Sequence, residues 1–528
     1  MSSKHHCIRK SEILPLTDGF GMRMTTSQKP ADKLTFSLLS VAFIVSFGTW
    51  FVMGYLLVAL NGLQSIIVNW IRSVKCERLG GSTGISYNDS ESTDLWCRHY
   101  LPQDEANILR ENAELNTIWA IASSVITVGG LVATFGCTLV INKLGTKGSL
   151  LFTNVVFTAG TVMFATSKWA SSFELLIAGR LIAGASMGFI CVVAPLYISL
   201  LTPPTLRGTV GSIPMIMYVA GMIFGTTFSL PMILGSQDSW PILIVIPLVP
   251  VLIFSVALPF CPASPRLLLK DSKDPEGARR ALIWLRGTED VEKELASIQY
   301  DLDHAVQNQV SLLGFWKSSF RRSTFILCAV AMISQQFSGY LSIAFYSTSI
   351  FNRVGLTQLD AVYATIGLFA VLLVFSLLGS VLMEKAGRKT LLLGANAVET
   401  LALTLLVMCM ALTKQGHVWT QYASVACVFL FMACYGIGPF SVPWNLPTEL
   451  FGPEASASAM TWTGVSAWTG SLVTTFAFPV VVAVAEEYIF LIFIGFLVVS
   501  STFLYFRLPE TKGRSVQEVQ TILQRRKG

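Results

Sequence analysis

The feature that most constrains this chain is a series of long apolar stretches. Each is about 20 residues long, the length that a helix needs to cross a bilayer. With 53% hydrophobic and only 13% charged residues among 528, the chain is also too apolar for an ordinary soluble protein. The stretches predict twelve membrane-spanning helices, at residues 36–60, 117–141, 149–167, 174–200, 209–234, 239–260, 324–351, 359–383, 390–413, 419–447, 457–485 and 488–507.

The charges between these stretches predict an orientation. Lysine and arginine concentrate in residues 1–33 and 261–323 and at the end of the chain, whereas acids such as Glu105 and Glu486 occupy the opposite loops. The positive-inside rule therefore places both termini and the central linker in the cytoplasm. An even number of helices requires the same arrangement. We predict an integral membrane protein, in the plasma membrane, with both termini cytoplasmic.

Similar short loops recur in the two halves of the chain. A basic loop at 142–147 follows the second span, and a related loop at 384–389 follows the eighth, about 240 residues later. Such a repeat predicts an all-α membrane protein in which two pseudo-symmetric six-helix bundles hold a solute site between them. The predicted organisation is a disordered cytoplasmic N-terminus (1–33), an N-terminal bundle (34–260) with an extracellular loop (61–113), a cytoplasmic linker (261–323) with amphipathic helices at 275–286 and 291–310, a C-terminal bundle (324–507) and a cytoplasmic tail (508–528).

The long loop at 61–113 carries two features typical of an extracellular segment. Cys76 and Cys97 lie there on the oxidising side, where they can form a disulfide. Asn88 begins an Asn-Asp-Ser sequon, which predicts glycosylation. The remaining cysteines have no metal-ligand spacing, and no cofactor or metal is expected.

Two adjacent amides, Gln335 and Gln336, interrupt the seventh apolar stretch. An amide without partners cannot face hydrocarbon, so both must face other helices or a wet cavity. They either join neighbouring helices by hydrogen bonds or contact a solute. Both interpretations stay open from these residues alone.

Further residues are candidates for conformational roles. Pro439 and Pro443 lie in a stretch of the tenth span dense enough in proline to break the helix, as a hinge beside the solute pathway or as a static kink. Arg180 lies several residues inside the fourth span, where an arginine faces the bundle interior or snorkels. Charges at the cytoplasmic helix ends either pair across the halves as a gate or only set the topology; they are Arg207, Glu384, Arg388, Glu449 and Arg514.

Ordered sequence motifs over residues 35–515 resemble the sugar porter family of the major facilitator superfamily, and within it the animal facilitative glucose transporters. The matching pieces are Gly-Arg at 179–180, Pro-Leu-Tyr at 195–197, residues 206–208, 262–266, 334–339, 345–351, 362–367, 386–388, 443–444, 449–451 and 509–514. The resemblance implies the major facilitator fold and alternating access, with no chemical change to the solute. Tyr346, within the 345–351 motif, is counted among the gating residues.

The resemblance assigns site residues unevenly. It makes Gln335 and Gln336 sugar contacts and places Trp444 beneath the sugar. Other positions depart from the family, since apolar side chains stand where amides are usual. These positions are Met215, Leu341 and Leu372, with Ala467 and Ser471 in place of asparagines on the eleventh helix and Asn445 as a compensating amide.

Three functions remain after these comparisons of residues. The first is uniport of a hexose or related polyol, because Leu56 stands where proton-coupled relatives carry an aspartate near Arg180. The second is carriage of a less polar solute, and the third is a solute sensor that does not transport. No Ser/His/Asp set, metal cluster or phosphate loop indicates an enzyme. The expected partners are a small solute and the lipid bilayer, and not a nucleic acid.

Overall fold

The computed structural model describes residues 34–79, 113–203, 206, 210–269, 273–303, 310–514 and 516–525. The secondary structure of these residues is helical, without strands. In chain order the helices are α1 (Phe36–Val58), α2 (Gln64–Arg78), α3 (Ala113–Thr166), α4 (Phe173–Leu201), α5 (Ile213–Phe228), α6 (Trp240–Phe260), α7 (Pro275–Arg286), α8 (Glu292–Asp303), α9 (Ser319–Gln336), α10 (Tyr340–Val354), α11 (Gln358–Ala386), α12 (Arg388–Lys414), α13 (Trp419–Ile437), α14 (Val442–Leu450), α15 (Pro453–Ala485), α16 (Ile489–Arg507) and α17 (Val516–Arg525).

The described helices confirm twelve membrane spans. Ten segments are long and apolar enough to cross a bilayer, if α9 with α10 and α13 with α14 each count as one. One of the ten, α3, is interrupted at Gly145 and so supplies two spans, and the shorter apolar helix α5 supplies the twelfth. Gly145 has φ 66° and ψ −179°, a conformation that favours glycine because it lacks a Cβ. The interruption falls in the predicted short loop at 142–147.

The seventh span is broken, although the sequence predicted one continuous helix over 324–351. α9 ends at Gln336 and α10 begins at Tyr340, with Gly339 between them at φ 90°. A side chain at Gly339 would be strained by this left-handed backbone and would also meet the Phe493 ring, 2.6 Å from an ideal Cβ. Ser338 Oγ donates to the Gln335 carbonyl at 2.8 Å and so caps the interrupted turn.

The tenth span is also broken, as its glycines and prolines predicted. α13 ends at Ile437 and α14 begins at Val442. The interruption frees the carbonyls of Pro439 and Phe440 from helical bonding. Both accept hydrogen bonds from Gln335 Nε2, at 2.6 and 3.1 Å, so a neighbouring helix satisfies the freed groups, as a membrane interior requires.

Helix α2 lies inside the segment that the sequence assigned to a loop at 61–113. Its apolar residues recur at helical spacing, and Ile67, Ile71 and Val74 are buried. Ion pairs join Lys75 to Glu114 of α3 and Arg78 to Glu174 of α4. Cys76 is disulfide-bonded; the predicted partner Cys97 and the sequon at Asn88 lie outside the described residues.

The helix bundle has two ends. The end that carries the linker helices α7 and α8, which is predicted to be cytoplasmic, is called the inner end, and the end that carries α2 is called the outer end. Helix α7 matches its predicted range, whereas the second predicted linker helix, at 291–310, is described only as Glu292–Asp303. Thr35 Oγ1 donates to the Leu285 carbonyl at 2.5 Å, which ties α7 to the start of α1.

The two halves meet along α3 with α15 and along α5 with α11. Small residues allow this close approach. Gly130 of α3 lies under the indole of Trp468, which is 2.8 Å from the position of an ideal Cβ. The two halves are therefore packed closely where these helices meet.

Candidate solute-binding site

A cavity of about 80 Å³ lies between the two halves. In the N-terminal half its lining comes from α1, α3, α4 and α5, and in the C-terminal half from α9, α10, α13, α14 and α15. Most of the lining side chains are apolar or aromatic. Two interrupted spans meet at this cavity, which is the usual position of a solute site in transporters built from two bundles.

Gln335 and Gln336 both line the cavity and also bond to neighbouring groups. Gln335 Nε2 bonds the carbonyls exposed by the break before α14, and Gln335 Oε1 accepts from Gln336 Nε2 at 3.0 Å. Gln336 Oε1 in turn accepts from Ser471 Oγ at 2.9 Å. The side chains are 3% and 6% exposed, so the amides form a preorganised polar edge in an otherwise apolar chamber.

The other predicted contacts divide into two groups. Lining the cavity are Met215, Leu341, Trp444 and Ser471, as well as Ala467. Leu372 is not among the lining residues; it is fully buried, and its carbonyl lies against Gly436 of α13. Asn445 is exposed, and its amide contacts Met383 Sδ at 3.6 Å. The structure therefore gives Asn445 and Leu372 no contact with the cavity.

Aromatic side chains form much of the lining, and sequence reasoning missed them. Tyr340 and Tyr435 stack with their ring centroids 4.0 Å apart, and the Tyr218 hydroxyl lies 3.4 Å from that of Tyr340. Trp50 and Trp468 line the cavity from opposite halves, and the indole N–H of each is buried without a hydrogen-bond partner among the described residues. Such donors are available to a solute oxygen. The motifs in the sequence singled out Trp444 and carry no such signal for Trp50 or Trp468.

The outer end is closed by hydrogen bonds between the halves. Asn61, just after α1, donates to the Ala344 carbonyl at 3.2 Å and to Ser347 Oγ at 2.6 Å. Its own Oδ1 accepts from the backbone N–H of Thr348 at 3.3 Å. These partners belong to α10, so one side chain holds the second part of the broken seventh span against the N-terminal half.

Arg180 faces the bundle interior and does not snorkel. It is fully buried, its guanidinium lies 5.7 Å from the Phe164 ring centroid, and its Nη2 donates to the Ser123 carbonyl at 3.1 Å. The hydroxyl of Ser123 is 2.7 Å from that of Tyr346 on α10. Arg180 is thus connected to the predicted gating residue Tyr346 through one serine.

Charged groups at the inner end pair within the C-terminal half. Arg388 Nε donates to Glu449 Oε1 at 2.8 Å, and the Arg388 backbone N–H donates to Glu510 Oε1 at 2.8 Å. These groups all belong to the C-terminal half, so the Arg388–Glu449 pair does not join the two halves. Adjacent short loops of one bundle bring them together. Arg207 and the side chain of Glu384 lie outside the described residues.

No group of described residues has the three His, Cys, Asp or Glu side chains needed to hold a metal ion. The groups available at the cavity are amides, hydroxyls, indole N–H donors and aromatic faces. They suit reversible binding of a small neutral solute, since no charged side chain lines the cavity within the described part of the chain.

Solved structures of the xylose transporter XylE from E. coli share this fold. The inward-open conformation matches with a TM-score of 0.71 at 18% identity, over 92% of this chain and 99% of that chain. The proton:xylose symporter XylE bound to 6-bromo-6-deoxy-D-glucose matches with a TM-score of 0.70 at 19% identity, over 93% and 100%. The fold is therefore that of the major facilitator superfamily of membrane transporters.

Sequence relatives define the family. Facilitated glucose transporter member 3 of solute carrier family 2 from Canis lupus familiaris is 32% identical over 467 residues, which cover 87% of this chain and 93% of that protein. Member 14 from Homo sapiens is 34% identical over 417 residues, covering 79% and 80%. The sugar (and other) transporter family matches residues 41–523. This chain belongs to that family, an integral membrane transporter and not an enzyme, which confirms the resemblance seen in its motifs.

Proposed function

We propose that this protein is a facilitative uniporter that carries a hexose or closely related polyol by alternating access. The observation that carries the proposal is the amide pair Gln335–Gln336, which lines a cavity between the two halves. The relatives named as facilitated glucose transporters support the choice of solute. We further propose that the protein works in the plasma membrane with both termini cytoplasmic, as its charge distribution predicts.

The lining of the cavity supplies the kinds of contact that a sugar needs. The two amides and Ser471 donate and accept hydrogen bonds, and the free indole N–H groups of Trp50 and Trp468 add two donors. The stacked Tyr340 and Tyr435 offer apolar faces to the C–H groups of a sugar ring. A solute that pairs with the indoles satisfies donors that are otherwise buried and unpaired, which favours binding.

Access to the cavity must alternate, because the outer end is closed by the bonds of Asn61 to α10. The breaks at Gly339 and between α13 and α14 lie beside the amide pair and are the positions where the C-terminal half can bend. We infer that α10 and α14 move relative to α9 and α13 during transport. Rocking of the two halves about the fixed site then exposes the solute to each side in turn.

Passive transport is favoured by the surroundings of Arg180. Leu56 of α1 is fully buried. It stands at the position where the resemblance to proton-coupled relatives would place an aspartate. Arg180 bonds a backbone carbonyl of Ser123, a partner that cannot bind or release a proton. Among the described residues no carboxylate pairs with Arg180, so this place has no acid that could load a proton on one side of the membrane and release it on the other.

The apolar lining favours a second candidate, a less polar small solute. Met215 and Leu341 line the cavity, and both glutamine side chains already bond to protein groups. A hydroxyl-rich hexose must exchange some of these bonds for its own. A less polar solute would need only the aromatic and aliphatic contacts.

Uptake into proteoliposomes tests the proposal. The uptake of radiolabelled hexoses, polyols and less polar solutes is measured in vesicles that contain the protein and in protein-free vesicles. Each measurement is made with and without a proton gradient. Saturable hexose uptake that equilibrates but does not concentrate supports uniport. Concentration driven by the gradient would contradict it, and saturable uptake of the less polar solutes alone would select the second candidate.

A further inference from the structure

Glu399 is a buried carboxyl group that does not line the cavity. The proposed transport cycle does not involve it. It is eleven residues into α12, which begins at Arg388, and so lies about 16 Å along the helix axis, near the middle of the membrane span. Its side chain is fully buried. No described residue donates a hydrogen bond to either carboxyl oxygen.

Asn396 lies one turn earlier on the same face of α12, since residues three apart on a helix are neighbours. Its Nδ2 donates to Ser334 Oγ of α9 at 3.1 Å and to Ser501 Oγ of α16 at 2.9 Å. Its Oδ1 is buried and receives no hydrogen bond from the described residues. Two neighbouring side chains therefore both present acceptors that lack a donor.

Among the residues that the structure describes, none around Glu399 supplies a compensating positive charge. From α13, Cys434 and Tyr435 are close enough to interact with it electrostatically, and both are neutral in their ordinary forms. The helices α9 and α16 contribute the serine hydroxyls that Asn396 binds. An unpaired ionised carboxylate at this depth is so unfavourable that the group binds a proton instead.

We propose that Glu399 is held as a neutral carboxylic acid that donates its proton to Asn396 Oδ1 and so positions the solute-binding helix α9. One O–H donor gives Asn396 Oδ1 the hydrogen bond that it lacks, and protonation removes the charge of Glu399, whose second oxygen remains a neutral carbonyl acceptor. Asn396 in turn fixes Ser334, the residue immediately before Gln335. The proton stays in place through the transport cycle, so Glu399 is a positioning residue and not a carrier of protons. Its effect on solute affinity rests on the proposed function; its protonation does not.

Infrared spectroscopy of the full-length protein in vesicles tests the proton without any solute. A carboxylic acid has a C=O stretching band that a carboxylate lacks. The parent minus Glu399→Gln difference spectrum should contain this band, and Asn396→Leu should shift it to higher frequency because the acid loses its acceptor. A difference spectrum without the band, or a band that Asn396→Leu leaves in place, would overturn the proposal.

Transport kinetics test the positioning role. Glu399→Gln keeps a donor of nearly the same shape and should leave the KM within about twofold of the parent, whereas Glu399→Leu removes the donor and should raise the KM about tenfold. Equal KM values for the two variants, at matched thermal stability, would show a packing role only. Gradient-driven accumulation that disappears in Glu399→Gln would show that the proton moves. If the parent carries no sugar at all, the proposed function fails while the infrared result stands.

Discussion

At the scale of single residues, the amide pair is the feature on which binding depends. Gln336 donates to Gln335 at 3.0 Å within α9 and accepts from Ser471 of α15 at 2.9 Å, so it connects the amide pair to α15. Its neighbour Gln335 instead holds the broken tenth span. Gln336 is therefore the better position at which to test solute contact without disturbing the break.

Gln336→Ala should raise the KM for a hexose about tenfold or more, since the change removes a solute partner and leaves polar groups unpaired at roughly 1–3 kcal/mol each. Equilibrium exchange in proteoliposomes measures this KM. The control is Asn445→Ala, which removes an exposed amide of the same half that does not line the cavity. A control variant with an equally raised KM would contradict the predicted site.

Met215→Gln distinguishes the two candidate solutes. Met215 lines the cavity from α5, opposite the amide pair, at the position where the sugar porter resemblance expects glutamine. If the solute is a hexose, an added amide should lower its KM several-fold, because a new hydrogen bond contributes about 1 kcal/mol. The same variant should weaken binding of a less polar solute. Exchange measured with both solutes gives the sign of each change.

At the scale of elements, the two helix breaks determine the shape of the site. Gly339 allows the backbone to leave α9 immediately after the amides, and the break before α14 turns its carbonyls toward Gln335. Gln335 donates hydrogen bonds to the carbonyls in the break of the tenth span and lies just before the break of the seventh. The positions of the two interrupted spans are therefore coupled.

Gly339→Ala should lower the thermal stability of the protein, since a left-handed residue with a side chain costs of order 1–3 kcal/mol and the new Cβ would meet Phe493. A thermal unfolding curve in detergent measures the change. The matched control is Gly394→Ala on α12, where an ideal Cβ meets no atom within 4 Å. That control should be neutral or stabilising by up to about 1 kcal/mol, because alanine favours a helix. Similar losses in both variants would rule out the backbone explanation.

At the scale of the whole molecule, the closed outer end depends on a few polar contacts between the halves. Asn61 makes three of these, and Asn116 of α3 adds a bond from its Nδ2 to the Pro479 carbonyl at 3.3 Å. The balance between outward-facing and inward-facing forms should therefore respond to single substitutions at this end.

Asn61→Ala should shift the population toward the outward-open form, because each lost bond contributes about 0.5–1.5 kcal/mol to closure. Spin-label distances across the outer end report that population. Asn352→Ala provides the control, since its amide bonds Gln358 at 2.5 Å within the same half. An unchanged distance distribution in Asn61→Ala would show that these bonds do not hold the outer end shut.

The sequence by itself determined the membrane spans, the two-bundle fold and the family, because a bilayer imposes the length and polarity of every crossing helix. It also required Gln335 and Gln336 to face other helices or a cavity, since lipid cannot satisfy them, whereas it left Arg180 either interior or snorkelling. The tertiary structure alone decided which side chains share the cavity. Trp50 and Trp468 meet there from distant parts of the chain, while Asn445 and Leu372 lie away from it. Which side chains meet at the cavity depends on how the helices pack around each break. No local pattern in the sequence specifies that packing.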